Sequence, residues 1–231
     1  MPEMAGRTAV VLVSGGLDSA VVLAWMQREG FECIALTIDY GQRHHVELEC
    51  ARRLAAHASV REHLVQQIDL RAVGGSALTG SDPVPKDGAS PGIPITYVPA
   101  RNTLFLSLAL GLAEAREARD IALGINAVDY SGYPDCRPAF LESFSATANL
   151  ATRAGVEAAQ QGHLAFHFHA PLLNLSKPQI IRLGDELGVD FARTSSCYDP
   201  LHDGSPCGQC DSCRIRAAGF ASADLVDPRM R

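Results

Sequence analysis

The sequence has no uninterrupted apolar run approaching eighteen residues, so it predicts no membrane-spanning helix. Its first residues, MPEMAGR, lack the charged-then-apolar order of a secretory signal, and a cytoplasmic protein is expected. Excess positive charge is missing too: 20 Lys and Arg face 26 Asp and Glu, a net charge of −6. That balance argues against a nucleic-acid-binding surface. Lysine itself is scarce. Lys86 and Lys177 are the two among 20 cationic side chains, so each raises the question whether a compact ammonium was needed. Seven cysteines, an odd number, do not make a disulfide framework. Two phosphate-binding patterns are also absent. There is no GxxxxGK[ST] anywhere, which excludes a Walker A loop, and no GxGxxG at the first turn, which excludes a dinucleotide fingerprint there.

What is present is an alternation. Apolar strand-like runs at 8–13, 32–38, 62–68, 121–124 and 164–168 are separated by helical patterns at 19–29, 45–58, 102–118, 139–154 and 177–187. Strand and helix in turn argue for an α/β fold, a Rossmann-like parallel sheet flanked by helices. At 231 residues and 47% hydrophobic, the chain can bury one substantial core and carry a small appendage. The Pro-, Gly- and Ser-rich stretch 74–99 reads as a lid, a binding loop or a mobile segment.

The first strand runs into Ser14-Gly15-Gly16-Leu17-Asp18-Ser19 and then into a helix, with Asp18 and Ser19 as expected N-cap residues. A strand, a glycine turn and a helix start aim backbone N–H groups and a positive dipole end at one point, which is an anion site. SGGLDS resembles the pyrophosphate loop of the N-type ATP pyrophosphatases, which split ATP to AMP and pyrophosphate. Further runs narrow this: Tyr40-Gly41-Gln42-Arg43-His44 after the second strand, Tyr97-Val98-Pro99-Ala100-Arg101-Asn102, and the polar, aromatic stretch from Asn126 through Asp129, Tyr130, Tyr133, Asp135 and Arg137. Together they resemble the 7-cyano-7-deazaguanine synthase family of the queuosine pathway, from about residue 10 to residue 220.

That resemblance implies an adenine nucleotide alpha hydrolase-like fold and an ATP-dependent carbon–nitrogen ligase. Val13, Ser14, Gly15, Gly16, Leu17, Asp18, Ser19 and Ala20 would hold ATP, with Tyr40, Gln42, Arg43 and His44 beside them. Asp18 would help hold magnesium, and Lys177 would face the phosphates as its catalytic partner. Arg101, Asn102, Asn126, Asp129, Tyr130, Tyr133, Asp135 and Arg137 are the candidates for the deazaguanine and its carboxylate. A buried Asp suits a guanine-like edge because it accepts two hydrogen bonds. The implied reaction turns 7-carboxy-7-deazaguanine and ammonia into a nitrile through adenylated intermediates. A homodimer acting on small molecules, without nucleic acid or membrane, is expected.

Near the end of the chain Cys197, Cys207, Cys210 and Cys213 cluster, the last three spaced CxxCxxC. A redox pair and an iron–sulfur cluster compete as readings. A structural zinc held by all four cysteines is favoured because four thiolates complete its tetrahedral shell, and the resemblance implies the same. Residues 1–190 are read as the nucleotide-binding domain and 191–231 as the zinc segment packed on it. The family often carries Trp where this chain has Ser195, a departure that touches packing there. His167 and His169 share one face of a strand and are expected to be structural or solvent-exposed, as is His163. Two rival readings are a thiolating ATP pyrophosphatase that acts on tRNA, with Cys136 as its nearest thiol, and a non-enzymatic zinc module.

Overall fold

The computed structural model describes residues 7–86, 92–128 and 132–229. Five parallel strands form one sheet in the order β3-β2-β1-β4-β5: β1 (Thr8–Leu12), β2 (Glu32–Asp39), β3 (Glu62–Gln67), β4 (Asp120–Ala122) and β5 (His167–His169). The helices are α1 (Leu17–Arg28), α2 (Val46–His57), α3 (Arg101–Ala115), α4 (Pro138–Ala151), α5 (Arg153–Ala159), α6 (Lys177–Glu186) and α7 (Asp211–Ser222). The expected fold class is the observed one.

Central strand β1 is apolar on both faces because both are covered, and the two-residue period of a strand divides its side chains between two cores. Val10 packs with Ile34, Leu36 and Ile121 against Leu106 and Ala109 of α3. Ala9 and Val11 pack with Ala35 against Val21 and Val22 of α1 and Ile180 and Ile181 of α6. The strand order reverses between β1 and β4, so the loops leaving their carboxyl ends diverge and open a crevice.

Of the boundaries that differ from the sequence reading, three are informative. Helix α1 starts at Leu17, not Ser19, because Gly16 is the extended N-cap (φ −79°, ψ 167°). Asp18 therefore sits in the first turn. The 139–154 pattern is two helices, broken at Thr152, whose extended backbone (φ −115°, ψ 153°) and side-chain oxygen cap α5 through the Gly155 N–H at 3.1 Å. The last strand is His167–His169, because β4 offers only Asp120–Ala122 as a ladder. The 74–99 stretch has no helix or strand among its described residues. It is nonetheless packed, with Leu78, Val84 and Val98 buried in the α3-side core.

Among the histidines, His163 and His167 are exposed, while His169 is structural. Its Nε2 lies 2.7 Å from Asp120 Oδ1, and the same oxygen accepts from Arg7 at 2.9 Å. Burial alone would raise the Asp120 carboxyl, but the His169 hydrogen bond and the Arg7 charge outweigh it and hold it below its ordinary value of 3.8. A carboxyl depressed in the folded chain adds stability above its unfolded value and loses it as the pH falls through the folded one. The melting temperature should therefore fall as the pH drops below about 4. Asp120→Asn should cost about 1–3 kcal/mol at pH 7 and show a shallower acid limb. Superimposable melting curves for variant and parent across that range would remove this account.

Candidate active site

The turn after β1 is fixed from two sides. Gly15 has φ +96°, and a Cβ built on it would lie 2.1 Å from the Glu47 carbonyl oxygen and 2.7 Å from the Ala51 nitrogen of α2. Only glycine fits that backbone and that approach. On the other side the Ser195 N–H donates to the Gly15 carbonyl at 2.9 Å. A side chain at 195 is thus not what joins this segment to the loop; its backbone is. Within the loop, Ser19 Oγ accepts from Ser14 N at 3.2 Å and donates to the Gly16 carbonyl at 3.0 Å, and Ser14 Oγ accepts from Gly16 N at 3.1 Å. Both hydroxyls brace the turn.

Asp18 projects from the first turn of α1 and meets Lys177, whose Nζ donates to Oδ1 at 2.7 Å and Oδ2 at 2.9 Å. Lys177 is the first residue of α6. A reciprocal box of Ser176 and Gln179 closes that helix end, and Pro178 stands in the first turn. Its aliphatic stem crosses Gly219 of α7, where a Cβ would come within 2.5 Å of Lys177 Cγ. Asn126 ties the exit of β4 to the same turn, its Nδ2 donating to the carbonyls of Leu172, at 3.1 Å, and Leu175.

The opposite wall comes from the loops after β2 and before α3. Tyr40 is buried against Phe105 at 5.4 Å between centroids, and the Arg101 guanidinium lies 6.0 Å from its ring. Burial, partly opposed by Arg101, pushes the phenol up to about 12, so it stays a donor at neutral pH. Gln42 is buried and its Oε1 accepts the Tyr40 N–H at 2.9 Å. His44 Nε2 lies 2.9 Å from Glu47 Oε2. Tyr133 shares a 2.7 Å hydrogen bond with Thr96. Between the walls lies a cleft open to solvent.

Most of the residues read from the sequence converge here. Val13, Ser14, Gly16, Leu17, Asp18, Ser19, Tyr40, Gln42, His44, Arg101, Asn102, Asn126, Tyr133 and Lys177 all line the cleft. Others stand apart from its lining. Gly15 and Ala20 are packed behind the loop. Arg43 is exposed and donates to the Asp82 carbonyl at 2.7 Å. Arg137 is exposed as the N-cap of α4. Asp135 is buried, but one carboxylate oxygen accepts the Asn102 N–H at 3.0 Å, so it caps α3 rather than offering both oxygens to a ligand. Asp129 and Tyr130 lie outside the described residues.

Sequence reading missed Glu47, Phe105, Tyr198 and Arg216, all of which line the cleft. Glu47 was findable as the residue three places after His44 at a helix start. Arg216 carried no signal; it is buried in bonds to Asp227 at 2.7 and 2.9 Å and to Thr194 at 2.7 Å.

The four cysteines meet next to this cleft. The Sγ atoms of Cys197, Cys207, Cys210 and Cys213 lie within 4.8 Å of one another, and only Cys207 is partly exposed. The Cys197 sulfur accepts the Cys207 N–H at 3.2 Å and the Cys207 sulfur accepts the Cys210 N–H at 3.3 Å. Thiols this close cannot all ionise without a cation, and N–H donors on sulfur favour thiolate. The donor set suits a tetrahedral metal ion with no position left for water.

Gly15→Ala is expected to destabilise the chain by about 3 kcal/mol or more, because it adds both a left-handed backbone cost and a clash with α2. A thermal melt within about 0.5 kcal/mol of the parent would show that the loop can move away from α2.

The family model for "Queuosine biosynthesis protein QueC" matches residues 8–224. A 7-cyano-7-deazaguanine synthase 1 of Sphingopyxis alaskensis is 57% identical, covering 97% of this chain and 98% of that relative. A 7-cyano-7-deazaguanine synthase of Geotalea daltonii is 58% identical, covering 96% and 95%. Among solved structures, an NMN synthetase of Francisella tularensis shares the fold, with a TM-score of 0.52 and 18% identity over 96% of this chain and 79% of that one. With the match running from the first strand to the end of the last helix, the chain belongs to the QueC family.

Proposed function

We propose that this enzyme converts 7-carboxy-7-deazaguanine, ammonia and ATP into 7-cyano-7-deazaguanine, with release of AMP and pyrophosphate. The observation that carries the reading is the partly buried Asp18–Lys177 pair beside a glycine loop and a helix N-terminus, at one end of the cleft. A carboxylate oxygen is a poor leaving group. Its attack on the α-phosphorus of ATP makes an acyl-adenylate and expels pyrophosphate toward the 14–19 loop. There the N–H groups at the start of α1 and the Lys177 ammonium stabilise the departing charge. Asp18 would hold the magnesium that accompanies ATP. Ammonia displaces AMP to give an amide, and adenylation of the amide oxygen followed by loss of AMP gives the nitrile. Tyr40, Arg101 and Tyr133 would form the substrate wall, and Asp129 and Tyr130 remain candidates there. No protein nucleophile is needed; catalysis rests on positioning and on neutralising phosphate charge.

A thiolating enzyme fits less well. Cys136, the thiol at the substrate wall, is buried, and burial together with Asp135 pushes it up to about 11, which keeps it protonated and unreactive. The four-cysteine set would hold zinc, which supplies a cross-link and no chemistry. In this reading residues 1–190 carry both ligands and 191–231 brace them, in a cytoplasmic homodimer whose net charge of −6 disfavours nucleic acid.

The test is a product balance with magnesium, ATP, ammonium and the acid. Nitrile should form with about two AMP per turnover, and Asp18→Asn should lower the rate by about 100-fold or more. ADP in place of AMP would overturn the leaving-group assignment. Zinc content gives a second check. One equivalent is expected per chain, and Cys210→Ser should lose it and melt about 10 °C lower or more. A variant that melts with the parent would deny the ion a structural role.

A further inference from the structure

Among the described residues two buried side-chain atoms make no hydrogen bond, and one of them, Nδ1 of His44, belongs to a residue lining the cleft. His44 is 4% exposed, and its other ring nitrogen is held 2.9 Å from Glu47 Oε2. That contact assigns the ring proton to Nε2 and leaves the lone pair on Nδ1. A buried acceptor without a donor is costly, and a ligand N–H would satisfy it. The pair also adjoins the phosphate loop. Glu47 Oε1 lies 3.4 Å from where a Cβ of Gly16 would stand, and the Glu47 carbonyl is the atom against which Gly15 packs. ATP with its pyrophosphate in that loop has its adenine at the far end. The donor that reaches Nδ1 therefore comes from the reacting end.

We propose that His44, oriented by Glu47, is the base that removes the nitrogen proton in the nitrile-forming step, an assignment that rests on the reaction proposed above. As the amide oxygen takes the phosphorus, one nitrogen proton is lost to solvent and a neutral O-adenylated imidate remains; its last N–H bond then breaks and that proton goes to Nδ1. The electron pair of that bond becomes the third carbon–nitrogen bond, while the bond from carbon to the phosphate-bearing oxygen breaks and its pair leaves with AMP. Protonated His44 then returns the proton to water. In the earlier half-reaction the ammonia adduct also loses a nitrogen proton, but it loses it from an ammonium, a far stronger acid than an imidate N–H, and the departing AMP can carry it.

His44→Gln and Glu47→Gln in the full chain separate the steps. One assay starts from the acid with ATP and ammonium and follows the amide; the other starts from the 7-carboxamide with ATP and follows the nitrile. In H44Q the amide-to-nitrile rate should fall about 100-fold or more, as loss of a general base does. Acid-to-amide should fall less than about 10-fold, so that amide accumulates. E47Q, which keeps the imidazole, should show the same selective loss at about 10-fold; if H44Q does not fold, E47Q decides. An equal fall in both half-reactions, or none, overturns the assignment and leaves His44 a binding or structural residue. If the parent enzyme makes no amide from the acid, the reaction itself is wrong and this role falls with it.

Discussion

The site depends on one close approach. The backbone of Gly15 lies so near the first turns of α2 that no side chain can stand between them. That contact fixes the loop after β1, and through Glu47 it fixes where α2 begins. The same residue's carbonyl takes the Ser195 N–H, so a segment 180 positions further along the chain is registered on the same atom group. Loop, helix and C-terminal segment are therefore tied to one another through backbone, and their side chains inherit a common frame.

Within that frame the Asp18–Lys177 pair adds little as glue. Taking an ammonium and a carboxylate out of water costs several kcal/mol per ion, and their attraction only roughly offsets it. An apolar pair of similar size would hold α1 and α6 together as well. A chain that otherwise uses arginine has one of its two lysines here, and the proposed function gives that compact charge a phosphate to face.

Much of this was legible in the sequence because the signals were local. The strand–helix alternation, the glycine turn after β1 and the CxxCxxC spacing each lie within a few residues, and all three appear in the structure. The same holds for the helix beginning at Lys177, announced by Ser176 and Pro178. What escaped was set by tertiary contact. Asp135 had the right chemistry for a ligand edge, but the start of α3 arrives from 33 positions away and takes one of its oxygens. Arg43 belongs to a site-like run, yet its stem turns outward to Asp82. Thr152 carried a readable cap signal, overruled by an apolar pattern that continued across it. Arg216 reaches the cleft only because α7 folds back over α6, which no neighbouring residue foretells.

The notch at Gly219 has a consequence for how the chain can be divided. Because α7 is cut away there to seat the stem of Lys177, the wall behind the ammonium is made by residues that come after the cysteine cluster. A fragment ending at residue 190 would keep the glycine loop, Asp18 and Lys177 itself. It would lose the surface that keeps Lys177 extended and dry, so the lysine would be free to swing into water. The C-terminal segment is in this sense part of the wall behind the ammonium rather than an attachment to it, and the smallest unit that keeps that wall is the chain from β1 through α7.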